Sequence, residues 1–239
     1  MSNQKGVAGE LTIPNWQRVA KIIDHTNLRP EATPNQIITL CNEAKEFEFG
    51  AVMVNSCYIE LAASRLHDTG VKVGAVVGFP LGAALISVKL FETSEALKLG
   101  ARDIDMVINI GALKAGDHAL VLSEIEALSE LVHKRGALLK VIIETVLLTD
   151  EEKRAACEIS EKAGADFVKT STGFLGGVAT IEDVALMRRT VKIGVKASGG
   201  IRTASDAIAM IQAGATRLGT SRGVSIIRDL RGEVPAASR

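Results

Sequence analysis

Residues 136–174, GALLKVIIETVLLTDEEKRAACEISEKAGADFVKTSTGF, carry the pattern that decides the fold. An apolar, β-branched run, LLKVIIET, begins just after Gly136-Ala137. The stretch 149–163, TDEEKRAACEISEKA, follows with the periodicity of an amphipathic helix and a threonine placed to cap it. Gly164-Ala165 then ends that helix, and a second strand-like run, DFVKTST, begins. Glycine suits the closing position because a residue ending a helix often turns left-handed, which costs any residue with a Cβ.

The same punctuation recurs at Gly50-Ala51, Gly70-Val71, Gly100-Ala101 and Gly214-Ala215, introducing AVMVN, KVGAVVGF, DIDMVIN and TRLGTS. Adding IIDHT near residue 22 and KIGVKASG near residue 192 gives eight candidate strands. Between them, 117–135 and 203–213 are further amphipathic stretches opened by Asp or Thr caps. Strands alternating with helices along the whole chain mean parallel βαβ units, and eight of them predict closure. The expected fold is therefore α/β: a single (β/α)8 TIM barrel over 1–239, with a short N-terminal helical extension and flexible tails at 1–12 and 233–239. A doubly wound open sheet is the alternative, but no GxGxxG fingerprint opens a first βα turn.

Composition narrows the partners. The 239 residues carry 28 Lys+Arg against 28 Asp+Glu, so no excess of positive charge exists to hold nucleic acid or an anionic membrane. Aromatic residues make up 3%, too few for base-stacking platforms. No apolar run is long enough to span a bilayer and the N-terminus lacks an apolar signal core, so a cytoplasmic location is expected. Cys41, Cys57 and Cys157 show no CxxC spacing and read as reduced thiols, with Cys41 and Cys157 packing in helices. His25, His67, His118 and His133 are scattered without ligand spacing, so neither a metal nor a cofactor is expected.

Alternate residues of a barrel strand face the lumen, so parity sorts each run into two faces. In the fourth strand Ile104, Met106 and Ile108 form an apolar face, leaving Asp103, Asp105, Val107 and Asn109 on the other. The fifth turns Lys140, Ile142 and Glu144 inward, the sixth Phe167, Lys169 and Ser171, and the seventh Gly194, Lys196 and Ser198. Barrel interiors are ordinarily aliphatic, and an unpaired buried charge costs several kcal/mol. A buried salt-bridge network is one reading. The other is an active site, since these charges lie toward the C-terminal strand ends where barrel enzymes work.

Two inward lysines on adjacent strands suggest amine chemistry. Partial burial and a neighbouring cation lower a lysine's pKa and leave a free amine, which attacks a carbonyl to form a Schiff base. The imine then acts as an electron sink for making or breaking a carbon–carbon bond, with Asp105 the best-placed carboxylate for moving protons. Parity leaves open which lysine is the nucleophile. A second cluster reads as an anion site: Ser198-Gly199-Gly200 and Thr203 after the seventh strand, Gly219-Thr220-Ser221 after the eighth, with Thr172-Gly173 and Arg202 as further contributors. Glycines let backbone N–H groups approach a ligand, and these loops commonly hold phosphate in barrel enzymes.

At these residues the chain resembles the deoxyribose-phosphate aldolase family of class I, Schiff-base aldolases. The matching stretches are IIDHTNL (22–28), GAVMVN (50–55), VGFPLG (77–82), GARDIDMVINIGAL (100–113), LKVIIET (139–145), GADFVKTSTGF (164–174), VKASGGIRT (195–203) and GTSRG (219–223). The resemblance implies reversible retro-aldol cleavage of 2-deoxy-D-ribose 5-phosphate to D-glyceraldehyde 3-phosphate and acetaldehyde, in deoxyribonucleotide catabolism. It implies Lys169 as the Schiff-base lysine, Lys196 as the cation that depresses its pKa, and Asp105 as the proton carrier. It further implies that Asp24 and Thr26 line the pocket, that Lys140 completes the polar network, and that Gly173, Gly199, Gly200 and Ser221 bind phosphate. The expected assembly is a homodimer or homotetramer.

Two positions depart from the family pattern: Met53 stands where a cysteine is common, and Arg222 follows Ser221 where a second serine is common. Competing readings are a different phosphosugar barrel, either another Schiff-base aldolase or an isomerase, and a non-enzymatic sugar-phosphate binder. The last gives no role to a desolvated lysine pair.

Overall fold

A computed structural model of the chain describes residues 15–233. The tails expected at 1–12 and 233–239 lie outside the described residues, apart from Glu233. The short N-terminal helix is present as α1 (Trp16–Lys21), and the guanidinium of Arg231 stacks 3.9 Å from the Trp16 ring. Strands and helices then alternate, beginning with β1 (Ile23–Asn27), α2 (Pro34–Glu46), β2 (Ala51–Val54), α3 (Ile59–Leu66), β3 (Lys72–Val77) and α4 (Ile86–Lys98). The middle of the chain supplies β4 (Asp103–Val107), α5 (Ile110–Lys114), α6 (His118–His133), β5 (Leu138–Ile142) and α7 (Asp150–Lys162). Last come β6 (Phe167–Lys169), α8 (Ile181–Thr190), β7 (Gly194–Ser198), α9 (Ala204–Gln212), β8 (Arg217–Thr220) and α10 (Gly223–Leu230).

The strands join in sequence order into a closed barrel, with β1 pairing in parallel with both β2 and β8. Helix starts follow from local chemistry: Thr33, Thr149 and Thr203 each close a reciprocal capping box, with Gln36, Glu152 and Asp206 as partners. At four of the punctuation points, Gly100, Gly136, Gly164 and Gly214, φ is positive, as a left-handed closure requires.

Gly50 and Gly70 correct that reading, because the left-handed residues before β2 and β3 are Glu48 (φ 53°) and Asp68 (φ 60°) instead. Gly50 answers to a spatial demand. A Cβ there would lie 2.4 Å from the Lys21 carbonyl oxygen and 3.2 Å from Arg217 Cζ.

The outward faces read by parity form the main core under the helices: Ile104, Met106 and Ile108 from the β4 run, Leu139, Val141 and Ile143 from the β5 run, and Val168, Val195 and Ala197 are all fully buried. Each large aliphatic removed from water contributes roughly 2 kcal/mol. One buried ion pair sits among them. Lys89 of α4 donates to Glu124 of α6 at 2.6 Å and to the Val107 carbonyl at 2.7 Å, while Glu124 accepts from the Asn109 N–H at 3.0 Å. This pair pins the C-terminal end of β4, the strand that carries Asp105. Among the described residues no helix is long and apolar enough to cross a membrane.

Candidate active site

The lumen is polar where most barrels are aliphatic. Strand register sets Asp105 beside Lys140, Lys169 beside Lys196, and Lys196 beside Arg217. Asp105 Oδ2 accepts from Lys169 at 2.8 Å and from Lys196 at 2.7 Å, so one carboxylate oxygen joins the two lysines. Lys196 also donates to Asp24 Oδ2, and Lys140 donates to Asp103 at 2.5 Å. Arg217 reaches from β8 to Asp24 at 2.6 Å and to Asp103 at 3.2 Å.

Burial and pairing set the protonation of these groups. Burial alone would push the Asp24 carboxyl up, but Lys196, Lys140 and Arg217 hold it down at about 2. Asp105 is held well below the usual carboxylate range by Lys169, Lys196 and Lys140, against the upward pull of burial. Lys140, buried between carboxylates, is driven above its ordinary value by Asp105, Asp103 and Asp24. Lys169 moves the other way, down to about 8. Burial is the largest cause, and Lys196 adds to it while Asp105 and Asp24 oppose. The expectation that the neighbouring cation depresses this lysine is therefore refined: loss of water does more.

Above this layer opens a cavity of about 910 Å³. Lys169 lies at its base, with Thr26, Thr172 and Ser198 beside it. Gly199, Gly200 and Arg202 from the loop after β7 line the same cavity, as do Gly219 and Ser221 at the end of β8. Gly199 (φ 95°) and Gly200 (φ 77°) are both left-handed, a conformation that leaves their backbones open to a ligand. Thr220 ties these loops together, donating to the Ile201 carbonyl at 2.7 Å and accepting from the Arg222 N–H at 2.9 Å. Gly173 is exposed next to this wall; a Cβ on it would lie 3.9 Å from Gly199 Cα.

Of the two residues expected to line the pocket, Thr26 reaches it and Asp24 does not. Asp24 is fully buried beneath the cavity beside Lys140, and both are held by the ion pairs just described, so Lys140 takes part in the polar network below the pocket. Parity tells which way a side chain points but not how far along the barrel axis it sits. Glu144, also read as inward, follows β5 in a left-handed conformation (φ 55°) and accepts from the Thr172 N–H at 2.9 Å, steadying the loop after β6. Sequence reasoning assigned no role to Asp103 or Arg217. Parity was the available signal for both, since Asp103 shares a face with Asp105 and Arg217 shares one with Gly219. It also missed the His25–Glu43 contact of 2.7 Å on the cavity wall, which joins β1 to α2 and leaves no trace in spacing.

The two departures have distinct surroundings. Met53 is buried with Leu28 and Val76, and Gly74 leaves it room, since a Cβ at Gly74 would lie 2.2 Å from Met53 Sδ. Arg222 is exposed and lines the cavity, as does Arg202.

A family model described as DeoC/LacD family aldolase matches residues 18–230. The chain belongs to that aldolase family. This aldolase is 57% identical over 218 residues to the deoxyribose-phosphate aldolase of Halalkalibacterium halodurans, covering 90% of this chain and 97% of that protein. It is 56% identical over 214 residues to the corresponding enzyme of Thermoanaerobacter sp. strain X514, covering 88% of this chain and 96% of that one. Among solved structures, the tetrameric deoxyribose phosphate aldolase of Aeropyrum pernix superposes on the aldolase with a TM-score of 0.86 at 34% identity, covering 92% of this chain and 94% of that one.

Proposed function

We propose that this aldolase cleaves 2-deoxy-D-ribose 5-phosphate to D-glyceraldehyde 3-phosphate and acetaldehyde, in deoxyribonucleotide catabolism, through an imine on Lys169. The observation that carries the reading is a lysine at the base of a cavity of about 910 Å³, bonded to Asp105 and driven down to about 8 by burial. A free amine of this kind adds to the C1 aldehyde of the opened sugar; loss of water then gives the imine. Removal of the C3 hydroxyl proton breaks the C2–C3 bond and releases glyceraldehyde 3-phosphate, while the electron pair is taken up by the protonated imine as an enamine. Protonation at C2 and hydrolysis release acetaldehyde and restore the amine. Asp105, bonded to the amine, is the carboxylate that moves these protons.

The glycine loops after β7 and β8, with Thr172 and Gly173, receive the phosphate on backbone N–H groups, and Arg202 supplies charge. Thr26, on β1 beside β8, hydrogen-bonds the sugar chain. The active form is a homo-oligomer, a dimer or a tetramer; the tetrameric Aeropyrum pernix relative and the exposed apolar residues Leu85, Val88 and Phe91 around the start of α4 support this. The reaction belongs in the cytoplasm, which suits three unbridged cysteines.

Borohydride reduction in the presence of acetaldehyde, followed by peptide mass spectrometry, tests the reading. A mass increase on the peptide containing Lys169 is expected; an adduct on Lys196 instead, or none, overturns it. Lys196→Met is expected to move the acid limb of the kcat/KM profile to higher pH, because Lys169 then keeps its proton more tightly beside Asp24 and Asp105. A limb that stays in place in the folded variant would remove Lys196 from that role.

A further inference from the structure

Seven charged side chains share the buried layer beneath the cavity. Asp24 comes from β1, Asp103 and Asp105 from β4, Lys140 from β5, Lys169 from β6, Lys196 from β7 and Arg217 from β8. Into the same layer β2 and β3 turn Ala51, Met53, Gly74 and Val76, none of them charged, while Lys72 at the start of β3 is exposed to solvent. Glu144 is engaged above the layer by the Thr172 N–H, and His25 is engaged outside it by Glu43. The layer therefore holds three carboxylates and three partnered cations besides Lys169.

We propose that Arg217 is a positioning residue for the reacting amine: by holding Asp24 and Asp103 it completes a layer whose charges cancel when Lys169 is uncharged. Without Arg217 three carboxylates would face only Lys140 and Lys196, and the buried layer would be neutral only with Lys169 as an ammonium. Burying a net charge is costly, so the layer selects the protonation state of its one member that opens to the cavity. The geometry suits arginine. A guanidinium stays charged across the whole accessible pH range and forks to two carboxylates at once, here Asp24 through Nε and Asp103 through a terminal nitrogen. Its side chain is 13% exposed and reaches the layer through space that Gly50 leaves open. The downward displacement of Lys169 agrees with this arrangement, and Arg217 itself is pushed further up by Asp24 and Asp103 against the pull of burial.

The inference rests on Lys169 being the imine-forming lysine, and the experiment separates the two. The pH profile of kcat/KM on deoxyribose 5-phosphate is measured for the full-length wild type and for Arg217→Met, Asp103→Asn and the double variant, with borohydride labelling of the wild type run alongside. Arg217→Met should move the acid limb up by about one pH unit, which lowers kcat/KM at pH 7 about tenfold and lets it recover toward wild type in alkali. Asp103→Asn, which removes a negative charge instead, should move the limb down. The double variant restores neutrality, with Asp24 and Asp105 against Lys140 and Lys196, and its limb should return close to that of the wild type. An unmoved limb in Arg217→Met, or a limb that Asp103→Asn fails to bring back, overturns the role of Arg217. Should Arg217→Met not fold, the limb of Asp103→Asn alone decides: a fall supports the proposal, and an unmoved or raised limb overturns it. Failure of the wild type to label at Lys169 would overturn the nucleophile assignment itself, whatever the limbs do.

Discussion

Lys169→Met is expected to lower kcat/KM by about four orders of magnitude while leaving the barrel folded at close to wild-type stability. The size of the loss follows from the chemistry: without an amine there is no imine, and without the imine nothing accepts the electron pair of the breaking C2–C3 bond. Removing a covalent nucleophile costs about this much or more in other enzymes, and the remaining site retains only binding. Stability should hold for a separate reason. Lys169 makes a single ionic contact, to Asp105, and that carboxylate keeps Lys196 at 2.7 Å and Lys140 at 3.3 Å when Lys169 is gone. Methionine is near in length and apolar, and it replaces a side chain that works uncharged, so the charges beneath it still cancel. Steady-state kinetics and thermal melting on the same preparation check both halves. Activity within a hundredfold of wild type would show that another amine carries the reaction.

How far the sequence discloses this arrangement depends on the distance over which each interaction acts. Strand and helix positions are local properties. The glycine punctuation marked six strands and the β-branched runs near residues 22 and 192 the other two, and parity within DIDMVIN, LLKVIIET, DFVKTST and KIGVKASG turned Asp105, Lys140, Lys169 and Lys196 inward, where they lie. Depth along the barrel axis is not local. It is set by the stagger between neighbouring strands, which is why Asp24 was expected at the cavity wall and lies under it. Pairing is less local still: Arg217 and Asp24 are 193 residues apart, and Lys196 and Asp24 are 172 apart. Closure of β8 onto β1 brings these partners together, and nothing near Arg217 in the chain announces it. Gly50 illustrates the same limit. Its neighbours made it look like a helix ending, whereas its small size answers first to the Lys21 carbonyl oxygen, 2.4 Å from where a Cβ would lie, and then to an arginine from the far end of the sequence.

Asp105→Asn should separate imine formation from turnover. Asparagine keeps the size of the side chain and one acceptor oxygen for Lys169 and Lys196, so the two lysines stay near their present positions. It removes the negative charge, leaving Asp24 and Asp103 against Lys140, Lys196 and Arg217. The layer then carries an excess positive charge, which disfavours an ammonium on Lys169 further, and the amine remains free at lower pH than in the wild type. Asp105 opposes the downward displacement of Lys169 both through its charge and through its hydrogen bond, so removing it acts in the same direction. Acetaldehyde should still be trapped on Lys169 by borohydride, and the pH at which trapping sets in should fall. Turnover should nevertheless drop by about two to four orders of magnitude, because an amide cannot accept and return the protons that the C3 hydroxyl, the carbinolamine and the enamine exchange in each cycle. The measurement is therefore a pair: trapping against pH, read on the Lys169 peptide, and kcat for release of acetaldehyde. Loss of both together would mean that Asp105 holds the amine in place and does little else. Retention of both would transfer the proton work to another group facing the cavity.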